Sequence, residues 1–414
     1  MMSTSKSRFG AWAAAAGAAT VCFYSHAFEP KDIMAFRAGP LLFRPHLQVA
    51  EQYNDNLFYQ SRGAPIDDFI TVVSPSLDIQ VGRGGGQASL GVGYAYTHLF
   101  YLDNPYVDDA SMHRITLAGA FKGEKLRFDL NASGMWANTI YGGYESFMLG
   151  GLVFVFRAPN VERVSYTVTP HVSYSLSEKS SIYGTLGLSG MDFLQEFSNL
   201  YDVDTWHSSL GFGHKVRPKI SMLTEFFYGQ SSARPNQPLV GPKRPKPPHL
   251  ENYGGMVGAR GEITPRISGC LKVGYQQSIY GDRSFGDPVY SGDLSWAISE
   301  KSQLALTYRR SSSASAQSAT AYTRDDVGLQ FQQSLGTKRP WMLSAGATYG
   351  HNRYQGGALN ADADYVGLNF GVAYQIKLWL KTGLGYQYTK TSSDSKSLVD
   401  YEVNEVTLSA SIGY

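Results

Sequence analysis

The chain of 414 residues is 17% charged and 13% aromatic, holds 44 Gly and 28 Tyr, and has a mean hydropathy of -0.23 and a formal net charge of +2. Charge is scarce for a soluble domain, where about a quarter is usual, and the hydropathy is too low for a bundle of membrane helices. Near neutrality, with no basic helix carrying interleaved aromatics, argues against nucleic acid as a partner.

Lys6 and Arg8 precede an apolar run over 11–24, and Ser25, His26 and Ala27 offer a small-x-small cleavage site, which predicts a signal peptide over 1–27. The run is too short to span a bilayer comfortably as a helix. Cys22 lies inside it without a lipid-attachment box, so Cys270 alone remains in the mature chain and no intramolecular disulfide can form. No later segment is apolar for the eighteen or so residues that a membrane helix needs. A membrane-spanning chain of this kind must be a closed barrel, because only helices and barrels satisfy every backbone group in lipid.

Residues 28–40 show no period and are expected to be a periplasmic lead-in to a barrel over 41–414. Segments with a period of two follow, as expected of strands with one apolar face and one polar face. Segment 42–53 sets Phe43, Pro45, Leu47 and Val49 against Arg44, His46 and Gln48. Segment 69–81 sets Val73, Leu77 and Ile79 against Ser74, Ser76 and Asp78, and 88–102 sets Leu90, Val92, Tyr94 and Tyr96 against Gly91, Gly93, Ala95 and Thr97. The pattern recurs over 113–122, 126–137, 162–176, 182–194, 205–215, 220–230, 251–263, 267–280, 288–298, 303–313, 325–335, 341–350, 363–375, 377–391 and 401–414. The last of these ends on Tyr414, an aromatic terminus that resembles the assembly signal of outer-membrane barrels.

Connectors alternate in length. Tight ones at 82–87, 123–125, 177–180, 216–219, 264–266, 299–302, 336–340 and 376 interleave with long ones at 54–68, 103–112, 138–161, 195–204, 231–250, 281–287, 314–324, 351–362 and 392–400. Short periplasmic turns and longer extracellular loops have this rhythm. The expected fold is therefore all-β, a transmembrane antiparallel up-and-down β-barrel of about 18 strands, between 16 and 20.

Barrels of that size enclose an aqueous lumen. The inward positions are Arg44, Arg114, Arg127, Lys215, Arg260, Lys272, Arg309 and Lys381, with the anions Asp78, Asp129, Glu225, Glu262, Asp293 and Glu405. Gln48, Gln276, Gln330, Gln375 and Gln387 are the neutral members. Such a wall suits hydrated neutral or anionic solutes, glycans among them; equally, its charges could pair with one another and stiffen it. Trp136, Trp206, Trp296, Trp341, Tyr308, Tyr349, Tyr386, Tyr388 and Tyr414 are expected to ring the lipid boundary on the outer face.

The apolar stretch 147–156 within the loop 138–161 either folds inward as a constriction or lengthens the next strand. Segment 231–249, with six prolines and Arg234, Lys243, Arg244 and Lys246, could meet anionic lipopolysaccharide or remain a solvated loop. Asp55, Asp67 and Asp68, and Asp103, Asp108 and Asp109, could hold Ca²⁺ or serve turns. His98, Ser208 and His214 fall on outward positions with no spacing that joins a nucleophile to a base, so no catalysis, cofactor or metal is expected.

The stretch FRPHLQVAEQYNDNLFY over 43–59 ends its strand in Tyr53, Asn54, Asp55 and Asn56. The next strand carries a central Val73-Ser74-Pro75, and the hairpins YSLSEKSSIYGTLGL and WAISEKSQLALTY repeat one turn. These features are similar to the family of porin-2-like outer-membrane β-barrels associated with exopolysaccharide export. The resemblance implies an outer-membrane barrel with a role in polysaccharide secretion and carries over no functional residue. The expected function is a water-filled passage for hydrophilic solutes, an exported polysaccharide among them. The alternatives are a loop-plugged barrel acting as a surface-binding scaffold and, below that, a barrel hydrolase. Expected partners are outer-membrane lipid and lipopolysaccharide, the outer-membrane assembly machinery and polysaccharide-export components.

Overall fold

A strand with one apolar face can lie in lipid only if both of its edges are paired, since an open edge leaves N–H and C=O groups without partners. The computed structural model describes residues 35–59, 65–82, 86–104, 110–140, 147–149, 152–154, 160–194, 201–235, 249–314, 321–336, 341–355, 361–394 and 400–413. The expected signal peptide, residue 414 and most of the proline-rich loop, 236–248, lie outside the described residues.

The regular elements among the described residues are strands. They are β1 (Phe36–Ala38), β2 (Leu41–Asn54), β3 (Asp68–Val81), β4 (Ala88–Tyr101), β5 (Ala110–Lys122), β6 (Leu126–Thr139), β7 (Phe147–Leu149), β8 (Leu152–Phe154), β9 (Val161–Ser175), β10 (Ser180–Phe193) and β11 (Tyr201–Arg217). The second half has β12 (Ile220–Pro235), β13 (Leu250–Thr264), β14 (Ile267–Tyr280), β15 (Arg283–Ser299), β16 (Ser302–Ala314), β17 (Ala321–Leu335), β18 (Trp341–Gln355), β19 (Ala361–Lys377), β20 (Leu380–Ser393) and β21 (Tyr401–Gly413). From β2 to β6 and from β9 to β21 each strand pairs antiparallel with the next, and β6 pairs with β9. The ring closes where β21 returns to β2, from His46 opposite Gly413 to Asn54 opposite Glu405. Eighteen strands thus form a closed antiparallel barrel.

The outer face is apolar and open. Leu210 and Phe226, opposite one another on β11 and β12, are 64% and 67% exposed, an arrangement that water would penalise and lipid does not. Trp296, Trp341 and Tyr374 lie toward the turn ends of their strands, and Trp136 and Trp206 toward the loop ends. An apolar belt between two aromatic girdles is the outer surface of an outer-membrane barrel, and it places this wall in that membrane.

Several strands run further up than their apolar alternation: β11 starts at Tyr201, β12 reaches Pro235, β17 starts at Ala321 and β18 reaches Gln355. Their outward positions there are Asp204, Arg234, Asp325 and Arg353. The backbone ladder continues above the lipid while the side chains turn polar, so the pattern ends before the strand does.

Three expectations need correction. The lead-in 28–40 is not wholly outside the sheet, because β1 pairs with the lower edge of β2, Phe36 opposite Phe43, through a turn in which Gly39 takes φ 62. β21 leaves that edge vacant below His46, and Phe36 fills it by stacking on Phe43 with centroids 4.9 Å apart. The connector 281–287 is not long: Tyr280 pairs with Arg283 across two residues, with Gly281 at φ 59. A two-residue hairpin needs positive φ, which Gly supplies without a Cβ clash. Finally, of the two readings given for the loop 138–161, lengthening of the next strand does not hold among the described residues, where β7 and β8 pair with each other and β9 begins at Val161.

Pro75 sits in mid-strand, where its missing N–H would orphan a carbonyl. Pairing lapses between Val73 opposite His98 and Ser76 opposite Ala95 with the register unchanged, and the Ser74 hydroxyl donates to the Tyr96 carbonyl at 3.2 Å. The serine before the proline replaces the lost ladder bond.

At the loop end the seam is clasped by the Tyr53 to Asn56 stretch. Asn54 Nδ2 donates to Glu405 Oε1 at 2.8 Å, and Asn404 donates its backbone N–H and its Nδ2 to the two Asp55 oxygens, each at 2.7 Å. Asn56 Nδ2 donates to the Glu402 carbonyl at 3.0 Å. The first strand is thereby tied to the last at the point where their ladder ends.

β16 departs from the wall. Its pairing with β15 stops at Ser291 opposite Arg309, while its pairing with β17 continues to Ala314 opposite Ala321. β12 lies four strand spacings from β16, roughly 19 Å along the wall, yet β16 comes within 8 Å of both β12 and β13. Arg310 falls by alternation on the same face as the outward Tyr308, but its guanidinium is 3.7 Å from Asp287, which stands opposite the lumen-lining Gln276. Asn252 Nδ2 of β13 donates to the Ser312 carbonyl at 3.4 Å. The outer face of the β16 tip therefore packs on the inner face of β13 to β15, and the tip lies inside the barrel.

Two outcomes are expected. Asp55→Ala removes the acceptor of two Asn404 donors, a loss of about 1–3 kcal/mol, and should lower the urea midpoint of the folded barrel and its resistance to heating in SDS. Glu51→Ala, which loses an exposed bond to Thr71, should change neither; equal effects from both variants would refute the clasp. In a Cys270→Ser background, Asn252→Cys with Ser312→Cys should be joined by a short bismaleimide and shift in gel mobility. A failure to cross-link would put the tip back in the wall.

Candidate functional site

Register carries the inner face from strand to strand. Lys215 stands opposite Ser221, Ser221 opposite Arg260, Arg260 opposite Cys270 and Cys270 opposite Asp293. Of the residues expected to face inward, Arg127, Asp129, Lys215, Glu225, Arg260, Lys272, Gln276 and Arg309 line one lumen cavity of about 910 Å³. Gln48 and Lys381 line a second, of about 380 Å³, between β2 and the last strands. Arg44 lies opposite Asp78 and donates to Gln80 at 3.5 Å, and Gln387 lies opposite Glu405. Among the described residues, Arg114 reaches the Met135 sulfur at 3.8 Å. Glu262 sits at the turn end, half exposed and ion-paired with Lys219, away from the cavity.

Along the large cavity, rings lie flat on glycines. A Cβ on Gly211 would meet the Tyr183 ring at 2.1 Å, and one on Gly187 would meet the His207 ring at 1.8 Å. With no side chain beneath them, Tyr183 and His207 hug the wall and turn a face, not an edge, toward the lumen. Phe227, Asn252 and Gln276 continue this lining.

Ion pairs divide the charged residues into two sets. Lys272 Nζ bonds Glu225 Oε2 at 2.8 Å, and Tyr183 donates to the same carboxylate oxygen at 3.2 Å. Arg127 holds Asp129 with two bonds, at 2.7 and 3.1 Å. Among the described residues, Lys215, Arg260 and Arg309 have no ion pair. The carboxylate opposite Arg309 is Asp326, and Arg324 takes it at 2.6 Å.

The aspartates considered for Ca²⁺ serve the rim. Asp68, 1% exposed, accepts from the N–H groups of Leu102 and Asp103 and from Asn104 Nδ2, and Asp67 accepts from Tyr53. Asp108 and Asp109 lie outside the described residues. Ser208 and His214 lie on the outer face of β11, and His214 Nδ1 is 2.9 Å from the Ser180 hydroxyl at the turn end.

The sequence pattern missed Arg310, Asp287 and Asn252, which hold the β16 tip. Alternation places Arg310 on the outer face, and nothing in the chain near it marks where β16 leaves its neighbour. An arginine outward of a lipid-facing Tyr308 was the available signal, since a lone cation there needs a partner.

A family model described as "Putative beta-barrel porin 2" matches residues 249–413, the part of the chain that carries β13 to β21. Nothing among curated proteins matches the sequence. Solved structures similar to the chain include OccK3 (OpdO) of Pseudomonas aeruginosa, 13% identical over 90% of this chain and 96% of that one, with a TM-score of 0.44. OccAB3 of Acinetobacter baumannii is 12% identical over 90% and 99%, with a TM-score of 0.44. A BenF-like porin from Pseudomonas fluorescens Pf-5 is 11% identical over 90% and 99%, with a TM-score of 0.46.

Proposed function

We propose that the barrel is a porin-like passage through the outer membrane for hydrophilic solutes, and that its specific cargo is an exported polysaccharide. The observation that carries the first part is the polar cavity of about 910 Å³ on the inner face of a closed, lipid-bathed wall. The match of the β13 to β21 half to a porin family model supports it as well. For the polysaccharide, the support is the lining: the flat faces of Tyr183 and His207 suit the C–H faces of sugar rings, and the amides of Asn252 and Gln276 suit hydroxyls. Outer-membrane lipid and lipopolysaccharide, the assembly machinery and polysaccharide-export components are the partners this role would need.

The inward β16 tip favours a second reading, a barrel closed by its own chain that serves as a surface scaffold. Planar-bilayer recording separates the two. Steady open-channel steps, reduced by long-chain dextrins added to one side, are expected; silence from correctly folded protein would leave the closed scaffold standing. Conductance without any effect of dextrin would keep the passage and remove the polysaccharide.

A further inference from the structure

β15 and β16 part at Ser291 and Arg309, yet both strands continue beyond that point toward the loop end. β15 runs on to Arg283 with β14 paired along its other side, so the edge over 283–290 that faces β16 has no strand beside it among the described residues. Continued at the same register, the ladder would set Arg310 opposite Tyr290, Ser311 opposite Val289 and Ser312 opposite Pro288. The tip therefore has two places to lie: against β13 inside the barrel, where it is found, or back in the wall beside β15.

The two places differ in identifiable contacts. In the wall, alternation turns Arg310 to the outer face and Asp287 to the inner one, so their ion pair forms only when the tip is inside. Both side chains are mostly covered there, 17% and 22% exposed, so water screens the pair less than it would a surface pair. Pro288 penalises the other place, because it has no N–H to offer a returning strand. The inward place has its own cost: Arg310 Nε is buried without a hydrogen-bond partner among the described residues, and the 283–290 edge stays unpaired. Each position carries a cost that the other relieves.

We propose that the β16 tip is a two-position strap that sets the bore of the passage, held inward by the Arg310 to Asp287 pair and kept out of the wall by Pro288. This rests on the passage proposed above and adds the element that regulates its width. Arg310, Ser311 and Ser312 line the large cavity together with Asn252 and Gln276, so the bore changes when they leave. Rejoining β15 carries the tip from contact with β13 to three strand spacings from it, roughly 14 Å along the wall. A contact present in only one of two arrangements is what shifts the balance between them.

The test is single-channel recording of the full-length protein in planar bilayers, read as the time spent at a smaller and a larger conductance level. Arg310→Gln should raise the ratio of large to small roughly tenfold, equivalent to about 1.4 kcal/mol, and Asp287→Asn should do the same. Pro288→Val, which returns an N–H to the edge, should move the ratio in that direction too. In a Cys270→Ser background, the protein with Asn252→Cys and Ser312→Cys joined by a bismaleimide should lose the larger level, with or without Arg310→Gln. Arg353→Gln on the outer face should leave the ratio unchanged. A larger level that persists in the joined protein overturns the proposal. So does a ratio unaltered by Arg310→Gln and Asp287→Asn, and in both cases the passage itself survives. Should those two variants fail to fold, Pro288→Val decides by the same reading. Silence in the folded wild type and every folded variant removes the passage, and the strap with it.

Discussion

Everything in this molecule depends on one ladder having no ends. In hydrocarbon an unpaired N–H or C=O has no water to turn to, so each strand edge must meet another strand all the way round. Sixteen of the eighteen junctions join strands consecutive in the chain, one joins β6 to β9 across β7 and β8, and the last joins β2 to β21 across nearly the whole sequence. That junction is where extra devices accumulate: the Asn54, Asp55 and Asn56 clasp at one end and the β1 hairpin at the other. The Pro75 position shows the same rule on the scale of one carbonyl, with Ser74 supplying the missing donor.

The wall was legible because lipid outside and water inside impose the same alternation on every strand. Leu210 and Phe226 outward, and Glu225 and Arg260 inward, follow from counting by two. The strand tops were not legible. Above the lipid the outer positions become Asp204, Arg234, Asp325 and Arg353, so polarity no longer marks a face although pairing continues. The turn at Gly281 was missed because Arg283 to Asp287 lack apolar residues at every second place, yet two residues with one positive φ suffice to reverse the chain.

The lumen was legible only in composition. Which residues face inward is a local property of each strand, but which of them neutralise one another depends on what stands across the cavity. Lys272 finds Glu225 two strands away, and Arg127 finds Asp129 two residues along its own strand. Arg310 finds Asp287 only because β16 leaves its neighbour, an event set by pairing that stops after Arg309 and not by the nature of Arg310 itself. The partner of Arg310 is thus set by where a single strand bends. The glycines at 187 and 211 give width back by letting large rings lie down.

The seam has a consequence for biogenesis. Asn54 and Glu405, bonded in the finished protein, are 351 residues apart in the chain. No local collapse can bring them together, and closure over such a span is slow. The first wall strand must therefore wait with a naked edge until the final strand arrives, exposed all that while to pairing with the wrong neighbour. Whatever keeps the edge of β2 from pairing until then guards the whole barrel.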